Sequence, residues 1–283
     1  MSIAVTDAGS RKHSARRIVK RLIRRVLLPI CVFVPVAYFF PKVAILYALC
    51  GAYDVGRNRR LKESTLRRYF IGNGVLTWVL SPLNALLDLL SLPYINKGVY
   101  RLEDLPPAYR DEVRRLIQAA QDADLVRQLE ERSKDNQRTM IFFRWYGGNV
   151  DTFLNIPAFH QPWKYIQTIG VSVFNKKAVT SEHYGYVRAS LRVLYNLNDM
   201  HDDSAYIVVG DHTNYWCKNK LFIFDDTLQH QSVNLTDQTR YCLFVDMIRP
   251  TLAPRLMAAV MTAIWFVTER FKFIYYKNWT VIR

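Results

Sequence analysis

Two nearby segments, FDDTLQH (residues 224–230) and RYCLFVDMIRP (residues 240–250), decide the fold that we expect for this chain. The first ends on His230, and the second begins with Arg240, ten residues further on. A single histidine in such a position is usually an ordinary core or turn residue. The acidic pair before it and the arginine at the start of an apolar strand make this stretch the most informative part of the sequence.

Short apolar runs surround these segments between residues 139 and 250. Turn signals separate them, including the Gly-Gly-Asn at residues 147–149 and the Gly-Asp at residues 210–211. Many short strands at this spacing are typical of an antiparallel sandwich or jelly roll. The predicted strands cover residues 140–146, 165–174, 189–197, 205–209, 220–224 and 241–246.

The string FDD…H…R…VD…RP resembles the aspartyl/asparaginyl β-hydroxylase family, including the bacterial lipid A hydroxylases, over about residues 139–250. The resemblance implies a double-stranded β-helix, or jelly roll, that binds Fe(II) and 2-oxoglutarate. It also implies that His230 is an iron ligand and that Arg240 pairs with the far carboxylate of 2-oxoglutarate. Neutral imidazole suits Fe(II), and a guanidinium fork matches a carboxylate.

The upstream half of the family pattern matches less completely. Residues 190–193 (SLRV) match the family's SLR-x strand, but Leu194 stands where this resemblance places the first iron histidine. His183 matches the histidine of the preceding turn. His183 and Arg192 both fall where a family site has polar groups, so we add His183 to the candidate catalytic residues and Arg192 to the candidate cofactor-binding residues.

The leucine at position 194 can be interpreted in three ways. Another side chain supplies the ligand, with His183 the best candidate ahead of Tyr195, His201 and His212. The protein is instead a non-catalytic descendant that binds an acidic small molecule or a lipid. Lastly, the register of the comparison is shifted. In any of these cases Asp225 and Asp226 are expected to cap a turn or to orient His230 from behind.

The charge of the chain is concentrated at its N-terminus. The formal net charge is +15, and residues 1–70 hold 15 lysines and arginines against three acids. Eight of the 15 residues from 11 to 25 are basic, and an apolar run follows from 26 to 53. This pairing predicts attraction to an anionic membrane leaflet. We expect no nucleic-acid partner, because no recognisable module or interleaved aromatic residues accompany the basic ones.

The apolar run allows two arrangements in a membrane. Basic residues flank it on both sides, which favours a re-entrant hairpin broken at Pro41-Lys42 with both ends in the cytoplasm. Alternatively, the run spans the bilayer and the chain returns through residues 75–92, although Pro82, Asn84 and Asp88 fit an interfacial helix at least as well. We expect a bacterial inner-membrane association with a cytoplasmic domain.

The sequence therefore predicts an α+β protein in four parts. Residues 1–98 form a basic, helical, membrane-associated region, and residues 99–138 form an amphipathic helical linker. Residues 139–250 form the jelly roll, and residues 251–283 form a C-terminal helix and tail. The expected activity is hydroxylation of a lipid acyl chain with Fe(II) and 2-oxoglutarate. A catalytically silent, membrane-bound binding protein is the alternative.

Overall fold

The computed structural model describes residues 28–95, 97–133, 137–270 and 280–282. The basic stretch at residues 11–25 lies outside these residues, as does most of the tail after residue 270. The helices are α1 (Leu28–Phe39), α2 (Pro41–Gly56), α3 (Glu63–Ile71), α4 (Val75–Val79), α5 (Ser81–Leu90), α6 (Pro107–Asp122), α7 (Leu125–Ser133) and α8 (Pro254–Arg270).

The strands form two sheets. They are β1 (Val99–Tyr100), β2 (Arg138–Trp145), β3 (Gly148–Asn149), β4 (Ile166–Phe174), β5 (Ala178–Val179), β6 (Ser190–Asn196), β7 (Ala205–Val209), β8 (His212–Tyr215), β9 (Leu221–Phe224), β10 (His230–Asn234), β11 (Arg240–Ile248) and β12 (Thr280–Ile282). The larger sheet has the order β1-β9-β6-β11-β4-β2-β12, with β3 paired to β2. The smaller sheet has the order β5-β10-β7-β8.

Strands β4 to β11 pass repeatedly from one sheet to the other. Strands β4, β6, β9 and β11 lie in the larger sheet, and β5, β7, β8 and β10 lie in the smaller one. The pairing among these eight strands is antiparallel. This winding is a jelly roll, so the predicted architecture is confirmed. Each of the six predicted strands has a counterpart here, whereas β10 was not predicted because its sequence, HQSVN, is mostly polar.

Two apolar clusters cover the two faces of the larger sheet. Strand β4 is buried at all nine positions. On its outer side, Val113 and Leu116 of α6 and Leu129 of α7 pack against the sheet. Helix α6 starts at Pro107, which suits the first turn of a helix because proline has no N–H to satisfy there. The inner cluster fills the space between the sheets with residues such as Leu194, Ile207, Phe222 and Cys242.

The apolar run at the N-terminus forms the two consecutive helices α1 and α2, which contact each other. Only Phe40 separates them, and its backbone dihedral angles (φ −134°, ψ 61°) interrupt the helix. The re-entrant hairpin stays a prediction. Residues 75–92, considered as a returning span, form the two short helices α4 and α5. In the part of the chain that the structure describes, no helix is both long enough and apolar enough to cross a bilayer.

A buried network of charges attaches these helices to the jelly roll. The helical region contributes Asp54 of α2, Arg57 just after α2, and Asp88 of α5. The barrel contributes Arg188, Asp225 and Arg249. The Arg57 Nη2–Asp225 Oδ2 distance is 2.5 Å, and the Arg249 Nη1–Asp88 Oδ1 distance is 2.8 Å. Arg188 pairs with both Asp54 and Asp88. Three cations thus face three anions.

The network is almost inaccessible to solvent, so each buried charge needs an oppositely charged partner. The side chains of Arg188, Arg249 and Asp225 have no exposed surface. Burial alone would raise the pKa of Asp225, but Arg57, Arg249 and Arg188 hold that pKa well below its ordinary value. The charged state of each group therefore depends on its partners, and the helices and barrel cannot separate without leaving charges unpaired.

We expect Asp88→Asn to lower the free energy of unfolding by about 3–5 kcal/mol, because two buried arginines lose a carboxylate. Chemical denaturation of the full chain measures this change. The matched control is Asp124→Asn, because Asp124 pairs with Arg127 at 2.8 Å on the surface, where it is 57% exposed. The control substitution should lower the free energy of unfolding by less than about 1 kcal/mol. Equal effects of the two substitutions would contradict the role assigned to the network.

Candidate functional site

Two histidines lie side by side at one end of the smaller sheet. His230 is the first residue of β10, and His183 lies in the segment between β5 and β6. Their backbones form an antiparallel bridge, with N–O distances of 3.0 Å and 2.9 Å. Their ring centroids are 4.1 Å apart. The fold therefore brings together two imidazoles that are 47 residues apart in the sequence.

Both rings are held in the same way, by a hydrogen bond from Nδ1 to a backbone carbonyl oxygen. His183 Nδ1 lies 2.7 Å from the Ser181 carbonyl oxygen, and His230 Nδ1 lies 2.9 Å from the Leu228 carbonyl oxygen. A carbonyl oxygen can only accept, so each Nδ1 carries the proton and donates it. Each Nε2 then has its lone pair available for a metal ion. This backbone support is the arrangement found behind metal-binding histidines.

The surroundings also keep both rings neutral. Burial lowers the pKa of His183, and the nearby Arg192 lowers it further. Burial and the adjacent His183 lower the pKa of His230 well below its ordinary value. A neutral imidazole is the form that binds metals. The pair is therefore ready to bind a cation at neutral pH without first releasing a proton.

Leu194, which the resemblance places at the first iron-ligand position, lies in the apolar cluster between the sheets. The second imidazole next to His230 comes instead from His183. The other candidates lie elsewhere. Tyr195 accepts a hydrogen bond from Gln121 of α6 on the outer side of the larger sheet, and His212 pairs with Asp211 near the surface. His201 is exposed.

Arg192 is already engaged by two carboxylates. Its Nε donates to Asp246 Oδ1 at 2.6 Å, and its Nη2 donates to Asp226 Oδ2 at 3.0 Å. Burial and the repulsion from Asp246 raise the pKa of Asp226 to about 7, despite the attraction of Arg192. Arg192 thus offsets one negative charge of this acid pair, and the raised pKa of Asp226 favours protonation of that acid near neutral pH. The charge of Arg192 is therefore largely used within the protein.

The surroundings of Arg240 differ from those of Arg192. It is 1% exposed and its guanidinium lies over the rings of Phe174 and Trp216. Nη2 donates to Ser232 Oγ at 3.0 Å, but the buried Nε and Nη1 have no hydrogen-bond acceptor. The buried Nε1 of Trp216 also lacks an acceptor. Among the described residues, no carboxylate lies within 4.0 Å of Arg240. These donors together form a site that an anion would complete.

Helices α2, α3 and α4 support both histidine segments from outside. Asn58 Oδ1 accepts from the backbone N–H of Gln229 at 2.7 Å, which fixes the residue before His230. Arg68 Nε lies 2.8 Å from Glu182 Oε2, which fixes the residue before His183. Thr77 Oγ1 donates to the Gly185 carbonyl at 2.8 Å. The N-terminal helices are therefore part of the structure that positions the site.

These residues fit an iron ion and a dicarboxylate cosubstrate. Among the described residues, no group of three or more histidines, cysteines or acids is placed to hold a metal. The protein thus offers the two nitrogen ligands of His183 and His230, which leaves the remaining coordination positions to small molecules. The open donors of Arg240 match a carboxylate, because such a group would satisfy two N–H bonds and balance a buried charge.

Several residues around the site were not expected from the sequence. Ser232 lies beside Arg240, and a single serine in a mostly polar segment gave no signal that marks a site. Trp216 was expected in the core, and it does lie in the apolar cluster between the sheets, where it also contacts Arg240. Asp246, the partner of Arg192, is an acid inside an otherwise apolar strand. A charged residue in such a strand is a signal, because it needs a buried partner.

We expect Gly185→Ala to disturb the site through Asp226. A Cβ at residue 185 would lie 2.4–2.5 Å from the Asp226 carboxyl group, which must then leave Arg192. Such overpacking costs about 1–3 kcal/mol, and we expect weaker Mn(II) binding in calorimetry. The control is Gly56→Ala at the end of α2, where no atom lies within 4 Å of the added Cβ. Unchanged Mn(II) binding by the Gly185 variant would argue against this coupling.

Among curated proteins, the chain is similar to an ornithine lipid ester-linked acyl 2-hydroxylase from Rhizobium tropici. The two are 26% identical over 216 residues, which cover 68% of this chain and 73% of the relative.

Solved structures with partial similarity include a 2OG-Fe(II) oxygenase family oxidoreductase from Burkholderia pseudomallei. It has a TM-score of 0.26 and 14% identity, over 32% of this chain and 48% of that one. A cupin domain from Bordetella pertussis has a TM-score of 0.24 and 9% identity, over 31% of this chain and 86% of that one. Both TM-scores lie below 0.5, so the jelly-roll assignment comes from the strand order of the chain itself.

A family model described as aspartyl/asparaginyl beta-hydroxylase matches residues 107–250, slightly more than half of the chain. The match includes His183, Arg192, His230 and Arg240, together with the helices α6 and α7 that pack on the larger sheet. The chain therefore belongs to the aspartyl/asparaginyl β-hydroxylase family.

Proposed function

We propose that this protein is an Fe(II)- and 2-oxoglutarate-dependent hydroxylase that acts on an acyl chain of a membrane lipid. The observation that carries the proposal is the pair formed by His183 and His230, with both Nδ1 atoms held by backbone carbonyls and both Nε2 atoms open. Family membership and the lipid hydroxylase relative support the same reaction class.

When bound, the iron and 2-oxoglutarate supply the oxidation: O₂ is split, one oxygen enters a C–H bond of the substrate, and 2-oxoglutarate becomes succinate and CO₂. His183 and His230 would hold the iron through Nε2. Arg240 would hold the far carboxylate of 2-oxoglutarate through the N–H groups that have no acceptor within the protein. Arg192 offsets one of the two negative charges of Asp226 and Asp246, and the raised pKa of Asp226 reduces the other near neutral pH.

A lipid substrate is supported by two separate observations. The relative from Rhizobium tropici is named for hydroxylating the ester-linked acyl chain of ornithine lipid. In addition, the helices that brace the histidine segments expose large apolar side chains, including Leu66 and Ile71 of α3 and Leu76 of α4. An acyl chain needs an apolar surface to bind, and these exposed side chains belong to the helices that contact Glu182 and Gly185 on either side of His183.

We expect His183→Ala and His230→Ala each to reduce succinate formation by more than about a hundredfold, because either change leaves one nitrogen ligand. The assay supplies Fe(II), 2-oxoglutarate and a bacterial lipid extract, and mass spectrometry follows the gain of one oxygen in the lipid. The control is His212→Ala, since that ring is exposed and lies in β8. A wild-type protein that binds Mn(II) and 2-oxoglutarate without turnover would instead support the silent binding protein.

We expect the affinity for Mn(II), used as a redox-stable substitute for Fe(II), to stay constant as the pH falls from 8 to the ordinary histidine pKa of about 6.5. Protonation of either imidazole competes with metal binding. Burial lowers the pKa of both rings, so this competition should begin only at more acidic pH. Calorimetric titration at several pH values measures it. A decline centred near pH 6.5 would mean that the rings titrate as exposed histidines.

A further inference from the structure

Helices α1 and α2 expose apolar side chains over most of their described surface. Helix α1 contains no charged residue, and α2 has only Lys42 in its first nine residues. Eight large apolar residues of these helices and their junction are at least 43% exposed: Val34, Tyr38, Phe39, Phe40, Val43, Ile45, Leu46 and Leu49. We call this set the apolar face. A helix that is hydrophobic all round normally lies in a protein core or in a membrane.

The exposed charged residues near the apolar face are mostly basic, whereas two acids of the same region are buried. Between residues 31 and 92 the exposed charged residues are Lys42, Arg59, Arg60, Lys62, Glu63 and Arg67, five of which are basic. The acids Asp54 and Asp88 are buried in the network with Arg188. Because these two acids are buried, the surface of this region combines exposed apolar side chains with positive charge.

We propose that the apolar face, with the basic residues 59–67, is a docking surface for an anionic lipid bilayer. Two features select this occupant. The positive charge complements anionic headgroups, each lysine or arginine contributing about 1 kcal/mol near such a surface. The aromatic residues Tyr38, Phe39 and Phe40 lie together at the junction of α1 and α2, and aromatic side chains favour the boundary between headgroups and acyl chains.

Lys42 indicates how deep this pair of helices enters. It is exposed and lies at the junction of α1 and α2, next to the aromatic residues. A lysine at the centre of a bilayer costs about 2.5–3.5 kcal/mol or more. The junction therefore stays close to the headgroups.

The docking surface and the histidine pair belong to one connected structure. Helix α2 carries part of the apolar face and leads directly into Arg57, which binds Asp225 and Thr227 just before His230. If the proposed lipid hydroxylation is correct, docking would place the site beside its substrate's own bilayer. The docking itself does not depend on that reaction, because no residue of the apolar face belongs to the site.

Vesicle flotation of the full chain tests the apolar part of this surface. The probes are vesicles of phosphatidylcholine with and without phosphatidylglycerol. Leu46→Asn/Leu49→Asn should reduce binding by at least about tenfold, because both side chains lose their transfer into an apolar medium. The matched control is Leu235→Asn, which alters a leucine that is 50% exposed in the loop after β10. Wild-type binding by the double variant would overturn the proposal.

A second pair of substitutions tests the charge. Arg60→Glu/Lys62→Glu should lower binding to vesicles with phosphatidylglycerol by about tenfold or more, and added salt should weaken the wild type in the same direction. Arg114→Glu/Arg127→Glu, which reverses two exposed basic residues on α6 and α7, should have little effect. Equal losses in the two double variants would indicate nonspecific attraction and would overturn the assigned surface.

Two further measurements distinguish membrane docking from catalysis and from self-association. His230→Ala should float as the wild type does, because the histidine pair is not part of the docking surface. A wild-type protein that floats but shows no turnover would count against the proposed reaction alone. Light scattering without vesicles tests a second copy of the chain as the occupant. A wild-type dimer that Leu46→Asn/Leu49→Asn converts to a monomer, with flotation unchanged, would overturn the docking proposal in favour of self-association.

Discussion

The three buried arginines and three buried aspartates between the helices and the barrel constrain the rest of the molecule. Each charge has lost its water, so it is stable only while its partners stay in place. Asp54 and Asp88 come from helices, whereas Arg188 and Arg249 come from the barrel, and the network therefore joins the two into one unit. Asp225 also accepts hydrogen bonds from Thr227, which shapes the turn that leads to His230.

This constraint separates two kinds of arginine at the site. Arg192 is paired with acids of the protein itself. Arg240 is more deeply buried, and among the described residues only Ser232 accepts a hydrogen bond from it, which makes it suited to an anionic ligand. The same distinction applies to the imidazoles, since Nδ1 of His183 and His230 is committed to the backbone and Nε2 is not. The chemistry of the site depends on the groups that the fold leaves unsatisfied.

The network also bears on the proposed membrane surface. A carboxylate on a surface that meets an anionic leaflet would be repelled, and an acid within an apolar helix would be costly to bury alone. Pairing Asp54 and Asp88 with arginines of the barrel avoids both the repulsion by the leaflet and the cost of burying an unpaired acid. It removes two negative charges from the helical region and leaves the apolar face of α1 and α2 beside exposed basic residues.

The sequence by itself determined the class of fold and the location of the basic charge. Apolar runs and turn signals are local patterns, so the strands that carry Arg192 and Arg240 could be predicted, and the FDD…H…R string indicated the family. Only the tertiary structure decided that His183 meets His230, because that depends on the backbone bridge between segments 47 residues apart. It also decided that Leu194 packs among apolar side chains and that Arg188 and Arg249 pair with acids of distant helices. Long-range ion pairing and register leave no local periodicity, since each partner is chosen by the fold rather than by its neighbours in the chain.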